Sequence, residues 1–537
     1  MDYFKKDIVR IVSKTLQITE ANLEMPKDPK LGDFALPCFN FAKQLKKNPN
    51  KIAEEIASAA SPTDLISKIE AIGPYVNFFV NTTKLAEIIL IDVLKLKHDY
   101  GKSLLGKDKV VMIEFSSPNT NKPQHLGHVR NNLIGMALSN ILDFAGYKTI
   151  KANLINDRGI HICKSMVAYK HFGENKEPNK KPDHFVGDFY VLFSKKVKEM
   201  PELEEEAYDL LKKWEEGDKE TTALWRKMNN WVIKGFNETY ENLGVNFDVT
   251  YYESNFYDKG KKIVEEALKK GLFIKNKEGA VIAPLEKFGL PDKVVLRADG
   301  TSIYVTQDIY LAKLKFEEYP LEKSIYLVGS EHTLYFQQLF AILKLLEFEF
   351  VEKCLAKTYG MVFLPEGKLK SREGIVIEAD EIIKEMIELA SEEIKKRYNK
   401  LTDKEIENRA KIIGLGALKF FMLKNEAIKD IYFIPRESIS FEGETGPYIQ
   451  YAYARISSLI EKYGKSIDKE VNFSLLNSEY EKNVIKTIAK FPDVVENAAK
   501  NLEPSIVAHY LIEVAQRFTE FYHNCKILQE EEELKKA

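Results

Sequence analysis

The chain has 537 residues, too many for a single core and enough for two to four domains, and its 45% hydrophobic and 30% charged residues describe an ordinary globular protein. With 79 basic against 81 acidic residues the formal charge is −2, which excludes a global attraction for polyanions and leaves any nucleic-acid binding to local basic patches. Cys38, Cys163, Cys354 and Cys525 are far apart without a C-x-x-C, against a cysteine zinc site or disulfide scaffold, and no apolar run approaches about 18 residues, so neither a membrane span nor a signal peptide is expected and a reducing cytoplasm fits.

Residues 1 to about 100 read as a first unit. Ile8, Ile11, Val12 and Leu16 recur at helical spacing, a loop follows from Pro26 to Asp33, and Gly73 to Val80 alternates like an edge strand in which Tyr75 and Asn77 read as strand residues. Gly101 to Lys109, rich in Lys and Gly, is the linker.

From about 105 to 390 strands and helices alternate. Val110 to Phe115 is a short apolar run ending in a polar loop with Pro118 and Pro123, as suits a parallel strand buried on both faces. His125-Leu126-Gly127-His128 then opens a helix whose Leu126, Val129, Leu133, Met136, Ala137, Asn140 and Ile141 form one stripe. Free N–H groups and the dipole at such a helix start favour an anion, Gly127 allows close approach, and two imidazoles a turn apart can donate to it. A bare His-x-x-His pair reads as two exposed or capping histidines; the strand, loop, glycine and helix around this one favour a phosphate site.

Further strands are expected at Thr149 to Ile155, Ser324 to Val328 and Tyr359 to Leu364, giving a doubly wound parallel sheet with its ligand at the strands' carboxyl ends. The segment 164–242, charged and bearing Trp214, Trp225 and Trp231, interrupts the pattern as a helical insertion. Lys368-Leu369-Lys370-Ser371-Arg372 is a basic turn after the last apolar strand. From 391 to 537 the chain is mostly helical, and Tyr448, Tyr451 and Arg455 form a stripe that suits either base stacking or buried packing. Glu530 to Glu533 reads as a solvated helix face.

The HLGH segment resembles the HIGH signature of class I aminoacyl-tRNA synthetases, and Glu114-Phe115-Ser116-Ser117-Pro118-Asn119 followed by Lys122-Pro123 resembles its arginyl-tRNA synthetase form. The resemblance extends over nearly the whole chain. It implies an α/β fold with a doubly wound, Rossmann-like catalytic domain (105–390, insertion 164–242), an N-terminal α+β domain (1–100) that binds the tRNA D-loop, and a C-terminal all-α anticodon-binding domain (391–537). It also implies activation of arginine by ATP, accompanied by Mg²⁺, transfer to tRNA(Arg), and a need for bound tRNA in the first step. No structural zinc or other metal site is expected, and a monomer is.

The implied residue roles follow the matching motifs. His125, Gly127 and His128 bind ATP; Lys122, Lys368, Lys370 and Arg372 offset developing charge, with Ser371 in a degenerate KMSKS loop. Glu114, Ser117, Asn119, Tyr304 and Asp308 hold arginine, and His332 stands where the family usually has glutamine. Tyr304 and Asp308 are four residues apart and share a face on a helix, and paired carboxylates suit a guanidinium, although an Asp on a polar helix also reads as surface. Tyr75 and Asn77 fall to the D-loop, and Tyr448, Tyr451 and Arg455 to the anticodon. Family members usually run further at the carboxyl end, so an incomplete anticodon domain and poor charging are expected. Two rivals share parts of this pattern: an HxGH-type nucleotidyltransferase, and a tRNA-binding paralogue without ligase activity.

Overall fold

Five parallel strands dominate the computed structural model, which describes residues 1–16, 21–26, 28–364, 377–465 and 471–536. The sheet belongs to a unit made of Ser103–Tyr448 and Ala498–Ala508, and its strand order is Cys354–Tyr359, Leu321–Gly329, Val110–Glu114, Lys148–Ile155, Val249–Tyr252. Every neighbouring pair is parallel, as the buried apolar runs of the sequence require. From Val110–Glu114 the chain winds outward to Val249–Tyr252, then returns to fill the other side. The winding reverses between Val110–Glu114 and Leu321–Gly329, and the loops leaving these two strands face the crevice where such sheets take ligands.

One strand of the sheet was missed and one was misplaced. Val249–Tyr252 went unread because four residues on a sheet edge carry little pattern. The opposite edge is Cys354–Tyr359, whose Lys357 and Thr358 dilute its apolar character, not the more hydrophobic Tyr359 to Leu364 beside it. Val362–Phe363 instead pairs with Ile431–Tyr432 in a separate two-stranded sheet.

The HLGH helix, Leu126–Phe144, packs on three of the strands and on helices Ala379–Arg397 and Asp403–Leu423. It is therefore buried almost all round. The expected stripe holds at Leu126, Val129 and Leu133, but Asn140 is exposed while Arg130, Asn131, Asn132 and Ser139 are buried. Segment 164–242 is helical as expected, in helices Ile160–Phe172, Pro182–Lys196, Glu202–Glu215 and Lys219–Leu243. Its tryptophans are packing groups: Trp214 meets Trp225 at 5.3 Å, and Trp231 meets Tyr169 and Phe185 at 5.7 and 5.6 Å. No described helix is long and apolar enough to cross a membrane.

The second unit joins Met1–Lys102, Ile449–Asn497 and His509–Ala537. Its antiparallel sheet runs Phe34–Pro37, Tyr75–Val80, Ile66–Ile72, so Tyr75–Val80 is the central strand and not an edge, with Val76, Asn77, Phe78 and Val80 buried. Phe4, Ile8 and Val12 of helix Asp2–Leu16 pack in the same core as Phe34 and Phe78. Ile485 and Ala489, four hundred residues away in sequence on helix Glu479–Ala489, complete it.

Candidate active site

The strand Val110–Glu114 ends in a strained turn at the reversal point. Ser116 and Ser117 both adopt left-handed backbone, φ 76° and 47°, which non-glycine residues hold only when neighbours over-determine it. Here three side chains do so. Asn131 Oδ1 accepts from the Ser116 amide at 2.5 Å, Asn153 Oδ1 accepts from the Ser117 amide at 3.2 Å, and the Tyr240 hydroxyl bonds Ser116 Oγ at 2.7 Å and Asn153 Nδ2 at 3.2 Å. None of the three was singled out from sequence.

His125 caps the helix from extended backbone, φ −118° and ψ 175°. Its Nδ1 accepts from the Gly127 amide at 3.1 Å, while His128 Nδ1 accepts from the His125 amide at 3.2 Å, a reciprocal capping box made of imidazoles. The Leu126 amide donates to the Ile377 carbonyl at 2.9 Å. The expectation of free N–H groups is thus corrected, because the rings and this strand pairing already occupy them. Gly127 also makes room for the cap itself, since a Cβ there would meet the His125 ring at 2.9 Å.

Both rings are neutral. Burial, with help from the Lys122 charge, lowers His125 to about 4, and burial with His125 and Lys122 beside it holds His128 well below the usual imidazole range. A neutral ring whose Nδ1 accepts must carry its proton on Nε2, so the caps leave two Nε2–H donors, on rings 3.9 Å apart. The capping reading of the pair and the phosphate reading are therefore compatible.

Acidic groups gather beside this turn. Glu114 is buried and its carboxylate lies 2.6 Å from the ammonium of Lys315, itself fully buried 4.1 Å from the centre of the Tyr326 ring. Asp308 lies on helix Tyr304–Glu318 with Tyr304 one turn earlier, as their spacing implies. It accepts a hydrogen bond from the Tyr335 hydroxyl, and among the described residues no cation is within ion-pair distance of it. Burial pushes its carboxyl up to about 6, with Glu114 adding to the rise. Glu253, unread in the sequence, is also buried; it feels Asp308 and lies 3.9 Å from Arg158, and burial raises it to about 7.

Around this centre, Tyr304 is largely exposed, Ser117 is half-buried in the strained turn, and Asn119 is exposed, bridging Asn156 through its backbone. His332 follows strand Leu321–Gly329 and is exposed, 3.7 Å from Glu331. Lys122 is half-buried just before His125. Lys368, Lys370, Ser371 and Arg372 lie outside the described residues. In the other unit Tyr75 is half-buried against Phe39, ring centres 5.6 Å apart, but Asn77 is 2% exposed inside the central strand. Its expected contact with tRNA is therefore withdrawn. On helix Gly446–Tyr463, Tyr448 is half-buried and Tyr451 and Tyr453 are exposed. The Arg455 guanidinium bonds the Tyr451 hydroxyl at 2.9 Å and lies 4.3 Å and 5.1 Å from the Tyr451 and Tyr522 rings.

A parallel sheet whose reversal point carries an HxGH cap with two outward donors defines a class I nucleotide-activating domain. Comparison narrows the class. The family model described as tRNA synthetases class I (R), catalytic domain, matches residues 90–434, the DALR anticodon binding domain matches 449–537, and the arginyl tRNA synthetase N terminal domain matches 2–80. The chain is 45% identical over 530 residues to the arginine–tRNA ligase of Treponema denticola, covering 96% of this chain and 89% of that one. It is 44% identical over 544 residues to that of Parabacteroides distasonis, covering 96% and 91%. The arginyl-tRNA synthetase structure from Thermus thermophilus superposes with a TM-score of 0.82 at 25% identity over 100% of this chain and 95% of that one. The chain belongs to the arginyl-tRNA synthetases.

Proposed function

We infer that the chain is an arginine–tRNA ligase. An arginine carboxylate oxygen attacks the α-phosphorus of ATP, the bond to pyrophosphate breaks, and arginyl-adenylate forms; the terminal ribose hydroxyl of tRNA(Arg) then attacks the acyl carbon and AMP leaves. The observation that carries this reading is the neutral His125–His128 cap at the sheet's reversal point, together with a half-buried carboxylate, Asp308, that has no cation of its own among the described residues.

The Nε2–H groups of His125 and His128 donate to phosphate oxygens, and because the caps fix both rings they need no rearrangement as charge develops. Lys122 supplies positive charge close by, and Mg²⁺ arrives with ATP as part of the substrate. Asp308 and Glu114 receive the guanidinium, with Tyr304 on the same helix face as Asp308. Lys315 already neutralises part of Glu114, so Asp308 supplies most of the selectivity. Ser117 and Asn119 lie in the turn where the amino acid's backbone groups would fall. His332 occupies the rim after strand Leu321–Gly329 and closes no buried contact. Residues 1–100 contribute a D-loop surface around Tyr75 and Phe39, and Tyr451 and Arg455 an anticodon surface, each offering an aromatic face to an unpaired base. Four unpaired cysteines suit a reducing cytoplasm.

Charging of tRNA(Arg) with labelled arginine tests the reading. The chain should charge, and His128→Ala should lower turnover by about 10²-fold or more with little change in tRNA affinity. Equal rates in the two proteins would remove the histidines from phosphate binding, no charging would reject the ligase assignment, and charging with a different amino acid would reject arginine as its substrate.

A further inference from the structure

Beyond Tyr240, which holds the Ser116 turn, the helical insertion reaches the site through a group of charges. Lys181, just before helix Pro182–Lys196, places its ammonium 2.6 Å from Asp380 Oδ2, 3.0 Å from Asp183 Oδ2 and 2.6 Å from Thr239 Oγ1. His184 Nε2 is 2.6 Å from the same Asp380 oxygen, and its Nδ1 is 2.9 Å from Glu378. Asp183 is fully buried, and the network is at most partly exposed elsewhere. Asp183, His184 and Asp380 converge in the manner of metal ligands, but the Lys181 ammonium touches both carboxylates and fills the role of the cation. The two hydrogen-bonded carboxylates raise His184 to about 10, so it too is a cation here.

The partners of these cations matter because of their backbone. Glu378 forms an antiparallel bridge with His125; the Leu126 amide donates to the Ile377 carbonyl at 2.9 Å, and the Ala379 amide donates to the Gln124 carbonyl at 2.8 Å. Residues 377–379 are thus the strand partner of 124–126, the turn that aims the His125 ring. The insertion also approaches that turn directly: a Cβ on Gly187 would lie 2.8 Å from the ring of Pro123, so helix Pro182–Lys196 presses on the residues leading into HLGH.

We propose that Lys181 and His184 of the helical insertion are positioning residues of the ATP site: by clamping Glu378 and Asp380 they hold residues 377–379 against 124–126 and so fix the His125–His128 cap. This rests on the ligase reading given above. The clamp touches no reacting atom. It acts on the half-reaction that uses the histidines, ATP consumption, and not on the arginine pocket, whose Asp308 and Tyr335 lie on other elements. Lys181 and His184 share one carboxylate, Asp380, and each holds a second, Asp183 or Glu378, so removing either cation leaves acidic groups in mutual repulsion and loosens the strand pair.

The test uses the full chain with two near-isosteric variants, His184→Gln and Glu378→Gln, and with His184→Lys, which keeps a cation. Hydrogen exchange is followed at peptides covering 124–128 and 377–380, and arginine- and tRNA-dependent ATP–pyrophosphate exchange gives kcat and KM for each substrate. We expect His184→Gln to raise exchange at both peptides together and to lower kcat/KM for ATP by about 10-fold or more, with the KM values for arginine and tRNA within about twofold of the parent and at least partial recovery in His184→Lys. Unchanged exchange, unchanged ATP kinetics, or equal losses for ATP and arginine would each overturn the clamp. If a variant fails to fold, Glu378→Gln, on the more exposed arm, decides by the same measurements. A parent chain that charges no arginine would reject the ligase reading instead, while the exchange arm would still judge whether the clamp holds the strand pair.

Discussion

On the proposed function, Asp308 is a side chain set against stability for the sake of binding. Its carboxyl is raised from 3.8 to about 6, so between these values the folded protein holds a proton that the unfolded chain has lost; stability falls as pH rises through about 6, and the ionised group then waits for a cation. Arginine should therefore bind more tightly as pH rises from 5 to 7.5. Asp308→Asn should abolish that trend, weaken arginine binding by about 2 kcal/mol, or roughly 30-fold in KM, and raise the unfolding temperature of the ligand-free protein above pH 6. A pH-independent KM in the parent, or an Asn variant that binds as well, would take Asp308 out of the pocket. His125 runs in the opposite sense: its lowered value means that the neutral capping form is stable above about 6.5 and that stability drains away as pH falls toward 4. The placement of Glu114 at a strand's end, of the histidines at a helix start and of Asp308 one turn from Tyr304 was legible because each follows from an element's end or a helical spacing. Glu253, Lys315 and Tyr335 were not, since they meet Asp308 and Glu114 only across elements and no local spacing records such a meeting.

Among the elements, the HLGH helix is the one whose reading was half right, and the reason is Arg130. A charged residue in its second turn reads as solvent-facing, yet Arg130 is fully buried and its guanidinium donates to four carbonyls, those of Gly360 at 2.5 Å, Met361 at 3.2 Å, Ala427 at 3.1 Å and Lys429 at 2.8 Å. It staples the helix to the chain leaving strand Cys354–Tyr359 and to the turn before Ile431–Tyr432, so the helix has no solvent face there and the amphipathic stripe breaks down. The same cause spoiled the strand boundaries: Val362–Phe363 is apolar because it pairs with Ile431–Tyr432 beside that staple, not because it joins the large sheet. Arg130→Met should strand several buried carbonyls and destabilise the protein by about 3 kcal/mol or more, as measured by urea unfolding of the Ser103–Tyr448 unit. Arg130→Lys should recover less than half, because an ammonium cannot reach all four acceptors that the planar fork spans. A Met variant as stable as the parent would mean that the four contacts balance their own desolvation.

Taken whole, the molecule has two sets of cores, and chain order does not divide them. Residues 1–102 share theirs with helices from the far end: Ile485 and Ala489 lie in the core of Phe4, Phe34 and Phe78, Tyr100 stacks on Phe491 at 6.3 Å and donates to the Ile488 carbonyl at 3.1 Å, and Lys486 and Lys5 pair with Asp33 and Asp493 at 2.5 and 2.9 Å. Periodicity announced the first helix and the strand around Tyr75–Val80, but the pairing of the first hundred residues with helices near the carboxyl end is a long-range fact that no window of sequence contains. The two ends should consequently unfold as one. Ile485→Asn removes apolar volume and leaves an amide with no partner in that core, a cost of about 3 kcal/mol. Under limited proteolysis the variant should lose protection in residues 1–102 and in Ile449–Asn497 at the same rate, although the substitution lies in only one of them, while Ser103–Tyr448 keeps its own sheet and its arginine and ATP binding by calorimetry. Charging should then fail through a raised KM for tRNA. If the last helices were cut while the first hundred residues stayed protected, the shared core would not be the cooperative unit that its contacts describe.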